Sequence, residues 1–127
     1  MKRETYVEGS PWEPIVGYAR AVKVGNIIEI SGTTASVNGE VVGKNNVYEQ
    51  TKCILQKFET VLKHYNASME DVVRTRIFCS DISLWEEIGK AHGEFFGNIK
   101  PATGMYQISK LISDDLLVEI EATAIVS

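Results

Sequence analysis

Two cysteines, three prolines and no excess of positive charge are what this sequence has least of, and each shortage closes off a class of protein. Cys53 falls in a helical pattern and Cys79 in a strand pattern, with no CxxC or Cys/His spacing. A disulfide framework or a structural metal is therefore not expected, and both thiols read as reduced and packed. The formal charge of -4 comes with no local basic cluster, which argues against a surface built to neutralise the phosphates of a nucleic acid. No apolar stretch approaches the ~20 residues of a membrane-spanning helix. The opening MKRETYVEGSPW has basic residues but no apolar run behind them to act as a signal peptide. The expected location is cytoplasmic, with neither membrane nor nucleic acid as a partner.

What is present is the composition of a globular chain: 44% hydrophobic and 24% charged residues, outside the range that keeps chains disordered. The 127 residues suit one domain, 1–127, that buries roughly two-thirds of its unfolded surface. Tyr18 to Val24 and Ile27 to Ser31 are β-type runs around Gly25-Asn26, a dipeptide suited to a tight hairpin turn. Asn38-Gly39 signals a second turn, and Gly43-Lys44-Asn45-Asn46 reads as a loop ending in a helix cap. From Val47 to Tyr65, Val47, Thr51, Ile54, Leu55, Phe58, Val61, Leu62 and Tyr65 recur at the spacing of one buried helical face. Ser68 to Asp71 has the spacing of a small capping turn, and the β-branched run Val72 to Cys79 predicts a strand. A second helix is expected from about Leu84 to Phe96. Strands follow from about Thr103 to Ser109 and from Leu116 to Ile125, separated by the turn-forming Ser113-Asp114-Asp115.

The predicted order β-β-(β)-α-β-α-β-β gives two helices, each with one apolar face, on one side of a sheet: a two-layer α+β domain. The other side of the sheet needs a partner or water. On the last strand Val118, Ile120, Ala122, Ala124 and Val126 point one way, and Glu119, Glu121, Thr123 and Ile125 the other. Arg74 and Arg76 are read as sharing a face with Val72 and Phe78. Such a face is either solvated or lies in a subunit interface where its charges pair.

Several blocks are more specific. Val16 to Val22 with Val24-Gly25-Asn26, Ile30-Ser31-Gly32, Val72 to Phe78 with Asp81, Lys100-Pro101-Ala102-Thr103, and Leu117 to Ala122 occur in an order and spacing that resemble the signature blocks of the Rid (YjgF) family. The resemblance runs from about Gly17 to the C-terminus. It implies a chorismate-mutase-like fold with a mixed sheet, and a homotrimer whose sheets form a central barrel with clefts at the subunit boundaries. It also implies a small-molecule substrate, no cofactor, and hydrolysis of reactive enamines and imines such as 2-aminoacrylate.

In the best-known members of that family a guanidinium grips the substrate carboxylate, polar groups orient the imine and a water attacks its carbon. Carried over by resemblance, Tyr18 is a ring wall, Ser31 a hydroxyl hydrogen-bonder and Glu119 a catalytic carboxylate near the attacking water. Thr103 and Met105 complete the candidate substrate-binding set. Here the pattern breaks: the family's Pro-Ala-Arg-Ser is Pro101-Ala102-Thr103-Gly104, and Gly89 stands where an asparagine is often found. Losing the cation while keeping a charged ligand would cost several kcal/mol. Either the substrate differs or another arginine substitutes, and Arg20, two residues from Tyr18 on an extended strand, is the candidate. Arg20 can equally be read as pairing with a carboxylate, and Glu119 as half of a pair with Arg20, Arg74 or Arg76.

His92 and Glu94 read as a half-buried ring and a solvated charge, and neither histidine has a second ligand at metal spacing. Trp12 and Trp85 read as covers for a core edge or an interface. Three functions stay open: a hydrolytic deaminase, a non-enzymatic module that binds a metabolite or partner, and an endoribonuclease or translation inhibitor. The acidic balance and the lack of a His-based acid/base pair disfavour the third.

Overall fold

A computed structural model describes the whole chain, Met1–Ser127. In chain order it forms β1 (Arg3–Tyr6), α1 (Trp12–Val16), β2 (Ala21–Val24), β3 (Ile27–Thr33), β4 (Ser36–Val37), β5 (Glu40–Val41), α2 (Val47–His64), β6 (Val72–Cys79), α3 (Trp85–Phe96), β7 (Ala102–Gln107) and β8 (Val118–Ile125). Six strands make one mixed sheet in the order β1-β2-β3-β8-β6-β7. Neighbours are antiparallel except β6 and β7, between which α3 carries the chain back to its starting edge so that β7 runs parallel. The result is the two-layer α+β architecture expected, with α2 and α3 on one face.

Local chemistry sets the connections. Gly25 at φ +60 closes the β2–β3 hairpin, and Asn38 and Gly39 at φ 53 and 82 close β4–β5, the left-handed pair a tight hairpin demands. Asn46 caps α2 by accepting the Glu49 N–H at 3.0 Å. Ser68 and Asp71 form the reciprocal capping box that leads into β6. From α2, the residues Ile54, Leu55, Phe58, Val61 and Leu62 enter a cluster with Ile28, Ile77, Ile120 and Ala122 of the sheet. Burying each large side chain contributes about 1.5–3 kcal/mol, which dwarfs the helix propensities involved.

Gln50 also lies on this buried helical face. Its side-chain amide donates to the carbonyls of Gly43 (3.1 Å) and Asp115 (2.9 Å) and accepts the Leu117 N–H (2.8 Å), tying the loop before α2 to the entry of β8. Every polar atom is satisfied, so this amide is tolerated inside.

Two elements lie outside the predicted set. The polar β1 shows no alternation of its own and is held by pairing with β2 and by Tyr65, whose hydroxyl donates to the Glu4 carbonyl at 2.9 Å. The short α1 is pinned by Glu13, 4% exposed, whose carboxylate accepts the N–H groups of Ser10 (2.7 Å) and Glu8 (3.1 Å). One predicted face needs correction. Val72 does not lie with Arg74, Arg76 and Phe78: the β6–β8 register shifts between Val72 and Arg74, and this bulge turns Val72 into the core while Arg74 faces away from the helices.

Candidate functional site

At the middle of the sheet, β3 and β8 slip out of register between Ile30 and Thr33, so Ser31 and Gly32 bulge from the ladder. Residues 18–20 hold that bulge. The Ser31 hydroxyl donates to the Ala19 carbonyl at 2.6 Å and the Ser31 N–H to the Arg20 carbonyl at 3.0 Å. Arg20 reaches back with Nη2 to the Gly32 carbonyl (2.8 Å) and Nη1 to Thr33 Oγ1 (3.3 Å), while its guanidinium lies 5.4 Å from the centre of the Tyr18 ring. Its Nε is buried without a partner. Arg20 is thus half-engaged within its own chain: two of its five N–H groups have acceptors, one N–H on each terminal nitrogen being left over.

Glu119 stands on β8 over this bulge. A Cβ built on Gly32 would collide with Glu119 Oε2, so only glycine leaves room for the carboxylate there. The sequence motif Ile30-Ser31-Gly32 contains this residue, but only the fold reveals which side chain requires the missing Cβ. Burial raises the Glu119 pKa, the nearby positive charge of Arg20 works against that rise, and Glu121 adds to it. No ion pair forms within 4 Å; the chain's single such pair is Lys44–Asp115 at 3.6 Å. Across the strands Glu119 faces Phe78, not an arginine, while Glu121 is paired in register with Arg76. Beside this row is a cavity of about 270 Å³ lined by Val22, Glu29, Ser31, Arg76 and Glu121, on the sheet face that the helices leave open.

Thr103 and Met105 are elsewhere. Both sit on β7, which is separated from β8 by β6, and their register partners Thr75 and Ile77 are core residues beneath the helices. Met105 packs against the apolar core. Thr103 Oγ1 lies 2.8 Å from Thr75 Oγ1, which in turn lies 2.9 Å from His92 Nε2 on α3. Arg20, Ser31 and Glu119 therefore gather at the β3 bulge of one chain, with Tyr18 beside Arg20, whereas Thr103 and Met105 do not join them. His92 is half-buried as expected, but it holds a hydrogen bond that its spacing did not suggest, because Thr75 is brought to it by tertiary packing. Glu94 accepts the Tyr48 hydroxyl at 2.6 Å on the exposed side of the helices.

The family model described as Endoribonuclease L-PSP matches residues 9–126. A RutC family protein of Pyrococcus abyssi is 34% identical over 97% of this chain and 96% of its own length. The 3-aminoacrylate deaminase RutC of Acinetobacter baylyi is 31% identical over 92% of each chain. Among solved structures, a Mycobacterium tuberculosis member of the highly conserved YjgF/YER057c/UK114 family superposes with a TM-score of 0.89 at 42% identity, covering 98% of this chain and 100% of that one.

Proposed function

Since the chain belongs to the Endoribonuclease L-PSP family, which is the YjgF/Rid family, we propose that it is a hydrolytic deaminase of reactive enamine or imine metabolites, working in clefts between the copies of a homotrimer. The observation that carries this reading is the Glu119 carboxylate, fixed over Gly32 and made easier to protonate by burial. A carboxyl group tuned upward gains and loses its proton more evenly than an ordinary surface carboxylate, which suits both halves of an acid–base cycle.

An enamine takes a proton on carbon from solvent and becomes an iminium ion. Water then adds to the iminium carbon while ionised Glu119 removes one of its protons, giving a neutral carbinolamine; protonated Glu119 passes that proton to nitrogen as the C–N bond breaks, and the hydroxyl proton is released to solvent as the carbonyl forms. A carbonyl compound and ammonia leave, and Glu119 is again ionised. The Tyr18 ring walls the site, and the lone pairs of Ser31 Oγ remain to accept an N–H, its own proton being held by Ala19. The separation of Thr103 and Met105 from Glu119 within one chain supports a cleft to which two copies contribute. The open sheet face, where Arg74, Arg76, Glu119 and Glu121 lack ion-pair partners, supports assembly through that face.

The test is ammonia release from 2-aminoacrylate, 3-aminoacrylate and their uncharged amides, each generated in a coupled assay. Acceleration of at least one of them is expected, with Glu119→Gln lowering the rate about 10²- to 10⁴-fold. If folded protein at stoichiometric amounts accelerates none, the chain is a non-enzymatic binding module instead.

A further inference from the structure

The hydroxyl of Thr103 ends a chain of hydrogen-bonding groups that begins inside the protein. His92 Nε2 contacts Thr75 Oγ1 at 2.9 Å, Thr75 Oγ1 contacts Thr103 Oγ1 at 2.8 Å, and Thr103 Oγ1 is within 3.1 Å of the Pro101 carbonyl. Thr75 has no exposed surface, while Thr103 is exposed at the outer strand of the sheet. Resting on the cleft reading above, we propose that the Thr103 position receives an uncharged carbonyl, amide or hydroxyl group of the substrate, with Thr75 and His92 as the positioning residues that orient its hydroxyl.

A neutral imidazole carries one N–H and one bare nitrogen, and each threonine hydroxyl has one proton and two lone pairs. The chain can therefore run outward, from His92 N–H through Thr75 to Thr103, leaving the Thr103 proton for the Pro101 carbonyl or for an incoming carbonyl oxygen. It can also run inward, with Thr103 donating to Thr75 and Thr75 to a bare Nε2, leaving the Thr103 lone pairs for an incoming N–H or O–H. Either direction keeps every inner group satisfied. Such a reversible end matches a neutral polar group, which may be donor or acceptor.

It does not match a carboxylate, which needs several donors or a cation when it leaves water. Beside Thr103 its own chain presents no free side-chain cation. Lys100 Nζ donates to the Gly97 carbonyl at 2.8 Å, Lys90 lies over the Tyr48 ring, and Glu94, a negative charge, holds the Tyr48 hydroxyl. Arg74 is level with Ala102 on the opposite face of the sheet. Burial also disfavours a charged His92.

Pyruvate and pyruvamide differ at this one group and serve as probes, with NMR titration of the trimer followed at the Thr103 amide and the His92 ring nitrogens. Pyruvamide is expected to bind more tightly by about fivefold or more, the scale of one hydrogen bond gained against a desolvated charge. Thr75→Val should erase the preference and Thr75→Ser restore it, a rescue that a purely structural role for Thr75 would not produce. Thr103→Arg, on the exposed strand, should reverse the preference toward pyruvate. Equal or tighter binding of pyruvate by the unmodified chain, or no saturable binding of pyruvamide, overturns the proposal. A pyruvamide preference without turnover of any enamine keeps this inference and removes the enzymatic reading; turnover with a preference for acids does the opposite.

Discussion

The two faces of β8 are written by alternate residues of one strand, yet one is finished and the other is not. Val118, Ile120, Ala122 and Ala124 are at most 1% exposed beneath α2 and α3. Glu119, Glu121 and Thr123, one residue away in each case, stay half-buried on a face shared with Arg74 and Arg76, with no ion pair among them. The helix-covered face is closed by contacts within the chain and its energy is that of apolar burial. The open face keeps its charged groups without ion-pair partners, an arrangement that favours water or another copy over self-packing. Apolar burial within the chain lies on one side of the sheet and the charges without ion-pair partners on the other.

That division makes predictions of decreasing size. On the closed face, Phe58→Ala should cost about 3–5 kcal/mol of unfolding free energy in denaturant titration, because a fully buried ring leaves a cavity that the sheet cannot fill. A much smaller loss would mean that the helix layer is loosely packed and the comparison overdrawn. On the open face, Gly32→Ala should lower turnover about 10²-fold by pushing the Glu119 carboxylate aside. It should leave the unfolding transition nearly unchanged, since the displaced atoms are the end of a flexible side chain. Arg76→Glu places a like charge opposite Glu121 and should weaken the proposed assembly by roughly tenfold in sedimentation while the monomer keeps its fold.

The smallest effect is on the pH dependence of stability, and the two titrating groups act alike in form but not in sign. Glu119 has a raised pKa in the folded chain, so the folded state binds its proton more readily than the unfolded one. Its contribution therefore falls as pH rises from the ordinary carboxylate range through the raised value, and Glu119→Gln should remove that slope. His92 has a lowered pKa, so the unfolded state binds its proton more readily. Its contribution is present above the ordinary imidazole value and is lost as pH falls toward the lowered one; His92→Gln should flatten that part of the curve. Melting temperatures measured across pH separate the two.

Much of the architecture is visible in the residues themselves because it is set over short distances. The 3.6-residue spacing of α2, the Asn46 cap, the Gly25 and Asn38-Gly39 turns and the alternation of β8 are all local patterns, and each appears where expected. β1 and α1 escaped because both are too short to carry a periodicity: β1 is held by pairing with β2 and by the distant Tyr65 hydroxyl, and α1 by the buried carboxylate of its own Glu13. The burial of Gln50 carries no apolar signal in the sequence and depends on the carbonyls of Gly43 and Asp115 being brought to it.

The candidate site divides the same way. The family blocks named Tyr18, Ser31, Glu119 and the unusual Thr103, because residue identity at a given spacing is a property of the chain alone. That Arg20 already binds the Gly32 carbonyl and Thr33, that Gly32 makes room for Glu119, and that Thr103 connects through Thr75 to His92 were decided only by folding. The reason is physical: hydrogen-bond partnership and steric room depend on groups many residues apart meeting within a few ångströms, and a bulge of one residue is enough to exchange which face each side chain takes.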